Sequence, residues 1–133
     1  MITGIGVDLC RISRIARAIE SEHFRRRVFT PEEIAYSEGK GRRKAESYAS
    51  SFAAREAFVK ASGESLEAVM FGHNFELVRD DNGKPSVRLS GALGEKWNGS
   101  GNAGIFVSIS HEGDYVCAMI VIEKINEVIS SDS

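Results

Sequence analysis

A chain of 133 residues, 42% apolar and 27% charged, is sized for one domain with its own core and leaves little for a second. Its net charge of −2 excludes a globally basic nucleic-acid binder, and no run approaches the roughly 18 apolar residues of a membrane span. Cys10 and Cys117 lack the companions of a zinc motif or disulfide framework, and the opening has no basic leader with an apolar core, so a soluble protein of the reducing cytoplasm is expected.

The segment Ile2 to Leu9 reads as a strand, in which side chains alternate between faces. Thr3, Ile5, Val7 and Leu9 share a mostly apolar face. Gly4, Gly6 and Asp8 share the other, where two absent side chains beside a carboxylate leave space for a ligand. Ile12, Ile15, Ala16 and Ile19 mark an amphipathic helix with Ser13 at its start. Thr30-Pro31-Glu32-Glu33 opens another, with a capping threonine, a proline at the first position and a glutamate at the third; it ends at Gly39. Residues 41–44 form an exposed basic loop. A long helix then runs from about Ala45 to Ala61 and stops near Gly63, with Tyr48, Ala49, Phe52, Ala53 and Val59 along its apolar side.

In the second half, Phe75 to Arg79 and Ser86 to Ser90 flank an Asn82-Gly83 step that signals a hairpin. Gly91 to Trp97 reads as a short helix and Asn98 to Gly104 as a glycine-rich connection. Ile105 to Ser110 and Tyr115 to Glu123 are strands joined by His111 to Asp114. The last is apolar almost throughout, which predicts a central strand covered on both faces. The sum is one α+β domain over residues 1–125, an antiparallel sheet with a long packed helix, followed by a mobile polar tail over 126–133.

Charge is unevenly spread. Arg11, Arg14 and Arg17 recur every third residue, Arg25 to Arg27 run together, and Lys40, Arg42, Arg43 and Lys44 form a third cluster. Any one could be a solvated face, but three in the first half point to an anionic substrate or partner. Glu56 lies within the apolar side of the long helix, where a charge is costly to desolvate without a partner. With Asp8 it suggests a shared cation. The plainer alternatives are a strand-end cap for Asp8 and, for Glu56 with Lys60, a surface ion pair at helical spacing worth about 0.3–0.5 kcal/mol. Gly4-x-Gly6 lacks the third glycine of a dinucleotide fold, and Ser110-His111 has no nucleophile elbow around it.

Three blocks in order, Gly4-Ile5-Gly6-Val7-Asp8-Leu9, Phe52-Ala53-Ala54-Arg55-Glu56-Ala57-Phe58-Val59-Lys60-Ala61 and Val107-Ser108-Ile109-Ser110-His111, resemble the small-type 4′-phosphopantetheinyl transferases, the holo-[acyl-carrier-protein] synthase family. Asn82-Gly83-Lys84-Pro85 fits that family's central hairpin, and the likeness extends to about Glu123. It implies the transferase fold and transfer of 4′-phosphopantetheine from coenzyme A to a serine of apo acyl carrier protein, in support of fatty acid biosynthesis. Adenosine 3′,5′-bisphosphate is the other product. By position, Asp8 and Glu56 match the family's magnesium ligands, and magnesium takes one or two carboxylates with phosphate oxygens and water. Lys60 matches a lysine that faces the phosphates. Arg43, Gly63, Ser110 and His111 match coenzyme A-binding positions, and Arg14, with Arg11 and Arg17 on adjacent turns, matches the docking site of an acidic carrier. The likeness also implies a homotrimer with active sites between subunits, Asp8 and Glu56 coming from one subunit and Ser110-His111 from its neighbour. Glu56 or a metal-held water would accept the serine proton.

The chain departs from the family pattern at several points. Arg11 replaces an acidic residue, Ser51 an arginine, and Arg55 a lysine, the last expected on an exposed helix side. Ser62-Gly63-Glu64-Ser65 replaces a Gly-Thr-Gly turn, with Glu64 an added charge near the phosphates, and Met70 to Asn74 is atypical. These leave room for an alternative, a non-catalytic coenzyme A-binding module or adaptor that retains the fold.

Overall fold

The computed structural model describes residues 1–98 and 103–124; the expected tail and most of the glycine-rich connection lie outside them. Along the chain run β1 (Ile2–Arg11), α1 (Ile12–Ala18), α2 (Glu22–Val28), α3 (Pro31–Glu38), a 3-10 turn (Gly41–Arg43), α4 (Lys44–Ser62), α5 (Leu66–Met70), β2 (Phe75–Arg79), β3 (Pro85–Leu89), α6 (Gly91–Asn98), β4 (Ala103–Glu112) and β5 (Tyr115–Lys124). The strands β1, β5 and β4 form an antiparallel sheet in that order, and β2–β3 form a separate hairpin. Asp8 stands opposite Ala118, which stands opposite Ile109.

The two glycines of β1 decide how sheet and helix meet. A Cβ on Gly4 would lie 2.0 Å from the Ala61 carbonyl oxygen, and one on Gly6 2.0 Å from that of Ala57. Any larger residue would push α4 off the strand. The glycine face is therefore filled by helix backbone, which corrects the expectation of open space for a ligand. Behind the glycines, Val116, Ala118, Ile120 and Ile122 of β5 are buried beneath α4. The opposite face of the sheet is open: Ile5, Val7, Leu9, Phe106 and Met119 are exposed. So β5 is central, as its sequence predicts, but the described residues cover only one of its faces.

Helix α4 is buried on nearly every side, with Tyr48, Ala49, Ala53, Ala54, Ala57 and Phe58 all at 0% exposure. Arg55 is also at 0%, which corrects the expectation of an exposed position. Its guanidinium donates to both carboxylate oxygens of Glu33, at 2.5 and 2.9 Å, and to the carbonyls of Ser51 and Phe75. The rings of Phe29 and Phe75 lie 5.4 and 5.3 Å from it. Glu33 closes the capping box of α3 at Thr30 and accepts the Leu77 backbone N–H at 2.8 Å. Thr30 in turn donates to Glu76, which pairs with Arg88. One buried carboxylate thus joins α3, α4 and β2, with enough donors to offset its desolvation.

Local signals match the structure where they are self-contained. The caps of α3, the left-handed Gly63 after α4 and the Gly83 turn are all present. Helices α2 and α5, which hydrophobic periodicity does not reveal, have 7 and 5 residues and serine caps at Ser21 and Ser65. Helix α1 starts at Ile12, and Ser13 is instead held by the Asp114 carboxylate of the β4–β5 turn. That turn is tighter than expected: His111 and Glu112 belong to the β4 ladder, leaving Gly113 and Asp114 between the strands.

Two consequences are measurable by urea denaturation. Gly6→Ala forces backbone against backbone and should cost about 3 kcal/mol, the upper range of overpacking, because no rotamer relieves it. Arg55→Ala strands a buried carboxylate and should cost about 3–5 kcal/mol, with Arg55→Lys intermediate because a lysine is a single point of charge.

Candidate active site

The close contact of β1 with α4 also places the charges. Ala57 and Ala61 touch the glycines, and the residue before each of them, Glu56 and Lys60, flanks the line of contact. Asp8, one position past the glycine pair on the same face, meets them there. Lys60 Nζ donates to the Val7 carbonyl at 3.0 Å and lies 3.3 Å from Asp8 Oδ1. The Asp8 side chain is 12% exposed and that of Lys60 56%. Glu56 is half-buried and has no hydrogen-bond or ion-pair partner among the described residues. The helical Glu56–Lys60 pair is therefore not formed; the lysine turns to the strand. Burial pushes the Glu56 carboxyl above its ordinary range, the neighbouring Asp8 charge adds to this, and Arg14 and Lys60 oppose it.

Two carboxylates close enough for the charge of one to act on the other, with Glu56 lacking a partner among the described residues, are suited to a divalent cation. Among the described residues no group of three or more acidic, histidine or cysteine side chains converges. Asp8 and Glu56 could therefore supply only part of a cation's shell, leaving the rest to substrate oxygens and water, as magnesium prefers. Cys10 continues the same face of β1. Burial raises its thiol to about 11 against the opposing charge of Arg14, so it is inert packing.

Arg14 is on α1 and near enough to Glu56 and Cys10 for its charge to act on both. Arg17 is exposed on the same helix. Arg11 ends β1 opposite Tyr115, directly before α1; it donates to the Tyr115 hydroxyl at 2.8 Å and stacks 5.2 Å from its ring.

A second cluster gathers at the other end of α4. Arg43 Nη2 donates to Glu46 Oε2 at 2.9 Å, and His111 Nε2 lies 3.5 Å from the same oxygen. Sequence reasoning did not single out Glu46; its signal is a carboxylate three residues after Arg43 at a helix start. A cleft of ≈ 340 Å³ opens beside them, bounded by Arg43, Glu46, Lys40, Arg79 and the Asn82-Gly83 turn. Ser110 is exposed and, as the residue before His111 in a strand, faces the other side of the sheet. Glu46 and Glu56 are ten residues apart on one helix, about 15 Å along its axis. Within one chain, then, Asp8, Glu56 and Lys60 form one cluster, and Arg43 with His111 a separate one.

Gly63 follows α4 in the left-handed region at φ 79°, with open space where a Cβ would stand. The neighbouring Glu64 does not add a free charge. It turns to α6, where Lys96 lies at 2.7 Å and the Trp97 indole donates at 3.0 Å. The Lys96 hydrogen bond, aided by that of Trp97, holds the Glu64 carboxyl below its usual range.

Comparisons with known proteins identify the family. A family model for the 4′-phosphopantetheinyl transferase superfamily matches residues 4–120. A holo-[acyl-carrier-protein] synthase of Geotalea daltonii is 42% identical over 126 residues, covering 93% of this chain and 100% of that one. The crystal structure of the Neisseria meningitidis holo-[acyl-carrier-protein] synthase superposes with a TM-score of 0.82 at 36% identity, over 93% of this chain and 100% of that one. The Bacillus anthracis synthase, solved in complex with coenzyme A (3′,5′-ADP), superposes at 0.76 with 32% identity, over 94% and 99%. Glu56, Asp8 and Lys60 all fall inside the matched span, and the chain belongs to the 4′-phosphopantetheinyl transferase superfamily.

Proposed function

We infer that this protein is a holo-[acyl-carrier-protein] synthase, transferring 4′-phosphopantetheine from coenzyme A to a serine of apo acyl carrier protein. The observation that carries the reading is the half-buried Glu56, without a partner among the described residues, within reach of the charge of Asp8, which itself pairs with the Lys60 ammonium. The serine oxygen forms a bond to the phosphorus of the pantetheine phosphate. The pyrophosphate bridge breaks, adenosine 3′,5′-bisphosphate leaves, and the serine proton passes to a base. Asp8 and Glu56 fit magnesium, which when bound would polarise the phosphoryl group and stabilise the departing phosphate. Lys60, largely exposed and anchored by the Val7 carbonyl, would neutralise charge on the leaving group. Glu56, its proton affinity raised by burial, is this chain's candidate for taking the serine proton.

Arg43, His111 and the cleft beside them would hold the nucleotide end of coenzyme A, with Gly63 and its open turn near the phosphates. Since this cleft and the acidic pair lie about 15 Å apart along α4, a complete site would combine the cluster at one end of α4 with the opposite cluster of a second copy. The uncovered apolar face of the sheet supports such an assembly, read here as a homotrimer. Arg14 and Arg17 offer the acidic carrier a basic surface. Among the described residues no helix is long and apolar enough to cross a membrane. The free thiols of Cys10 and Cys117 favour action in the reducing cytoplasm. The non-catalytic reading drew on the altered turn Ser62-Gly63-Glu64-Ser65, and within that turn the Glu64 carboxylate is met by Lys96 and Trp97.

Incubation of apo carrier with the protein, coenzyme A and magnesium should add one phosphopantetheine to the carrier mass, and chelator should prevent it. Asp8→Ala and Glu56→Ala should each lower turnover at least about 100-fold while remaining folded. Near-normal turnover in either variant would remove the metal-ligand assignment.

The same pair gives a pH signature. The folded-state value of Glu56 is raised, so the stability tied to its protonated form is complete below the unfolded carboxyl value, roughly pH 4, and is lost as pH rises through the folded value. Glu56→Gln, a mimic of that protonated form, should denature at higher urea than wild type at pH 7. The two should converge near pH 4.

A further inference from the structure

The atypical segment after α5 does not reach the acidic pair or the nucleotide cleft; it reaches the end of α2. The His73 ring Nε2 lies 2.6 Å from the Arg26 carbonyl oxygen, and the Arg27 guanidinium carbon stands 4.1 Å over the Phe71 ring. The rest of the segment is fastened on its other side, where Ser90 donates through its N–H to the Asn74 carbonyl and through its hydroxyl to that of His73.

Both contacts act on charge. The last carbonyls of a helix lack intrahelical partners and form its negative end. In α2 the Arg25 carbonyl accepts the Phe29 N–H, and the Arg26 carbonyl is taken by His73. That contact masks the negative pole at the end of α2. A guanidinium lying on an aromatic face keeps its N–H edges directed outward for carboxylates. Arg26 is already paired with Glu22, and Arg25 donates to the Ile19 carbonyl. Arg27 has no acidic partner among the described residues, and neither has Arg17 of the preceding helix.

The backbone adds an independent observation. His73 is exposed and has φ 59°, the one non-glycine residue with positive φ among those described. A glycine would adopt that conformation without strain. What the histidine supplies there is its ring on α2.

We propose that Phe71 and His73 belong to the carrier-docking surface, as positioning residues that aim Arg27 and cover the negative end of α2 toward an acidic acyl carrier. The proposal rests on the synthase reading and deepens its partner side. It is tested on the full chain by measuring KM separately for apo carrier and for coenzyme A in His73→Gly, Phe71→Leu, Phe71→Tyr and Arg14→Glu. His73→Gly keeps the backbone and should melt no lower than wild type. His73→Gly and Phe71→Leu should each raise the carrier KM about 3–5-fold, the size of one exposed charge contact, with the coenzyme A KM and kcat unchanged. Phe71→Tyr should restore wild-type behaviour. An unchanged carrier KM, or an equal rise for both substrates, overturns the proposal. Arg14→Glu separates the two levels. If it leaves the carrier KM unchanged, the docking reading itself fails; if it raises that KM while the other variants do not, only the role of Phe71 and His73 fails.

Discussion

At Gly4 and Gly6 the backbone of β1 meets the backbone of α4 with no side chain between them, and most of the molecule follows from that contact. Because the helix sits directly on the strand, the residues flanking Ala57 and Ala61 are brought to the strand's own level. Glu56 and Lys60 arrive beside Asp8 by this route, on two rigid elements. A side chain larger than hydrogen at either glycine would lift the helix and spread the three charges. The absence of a side chain is thus what brings the charged ones together.

The helix is held from the other side by an interaction of opposite kind. Arg55 and Glu33 are both buried, and their hydrogen bonds tie α4 to α3 and both of these helices to β2. A buried ion pair is a weak source of stability by itself. Here it acts as a register mark: only one rotation of α4 lets Arg55 reach both Glu33 and the Phe75 carbonyl. That rotation turns Glu56 toward β1. The glycines set the distance between helix and strand, and the ion pair sets the angle.

Features that need only their near neighbours were legible in the sequence. Thr30 and Glu33 announce α3, Asn82-Gly83 announces the hairpin, and Gly63 ends α4, because each works within a few residues. Asp8, Glu56 and Lys60 were singled out by charge in the wrong surroundings, and the structure brings them together. What failed was the question of what covers what. Alternation in β1 tells which residues share a face, but not that the glycine face receives a helix while the apolar face stays open. Arg55 was expected outside because its partner Glu33 lies 22 residues away and no spacing rule links them. Glu64 was misjudged for the same reason: its partners lie on α6.

The placement of charge along α4 has a further consequence. Arg43, Glu46 and His111 gather at its start, while Glu56 and Lys60 stand near its end. A substrate that needs both a nucleotide cradle and a cation-bearing acidic pair cannot find them at one place on a single copy unless it spans that length. If a second copy supplies the missing cluster, the open apolar face becomes the means of alignment. Val7 lies on that face and Asp8, the next residue, on the other. Since adjacent residues in a strand point to opposite sides, anything that packs on Val7 also bears on the backbone that carries Asp8 and, through the Val7 carbonyl, Lys60. Assembly and chemistry would then be coupled through two successive residues of β1.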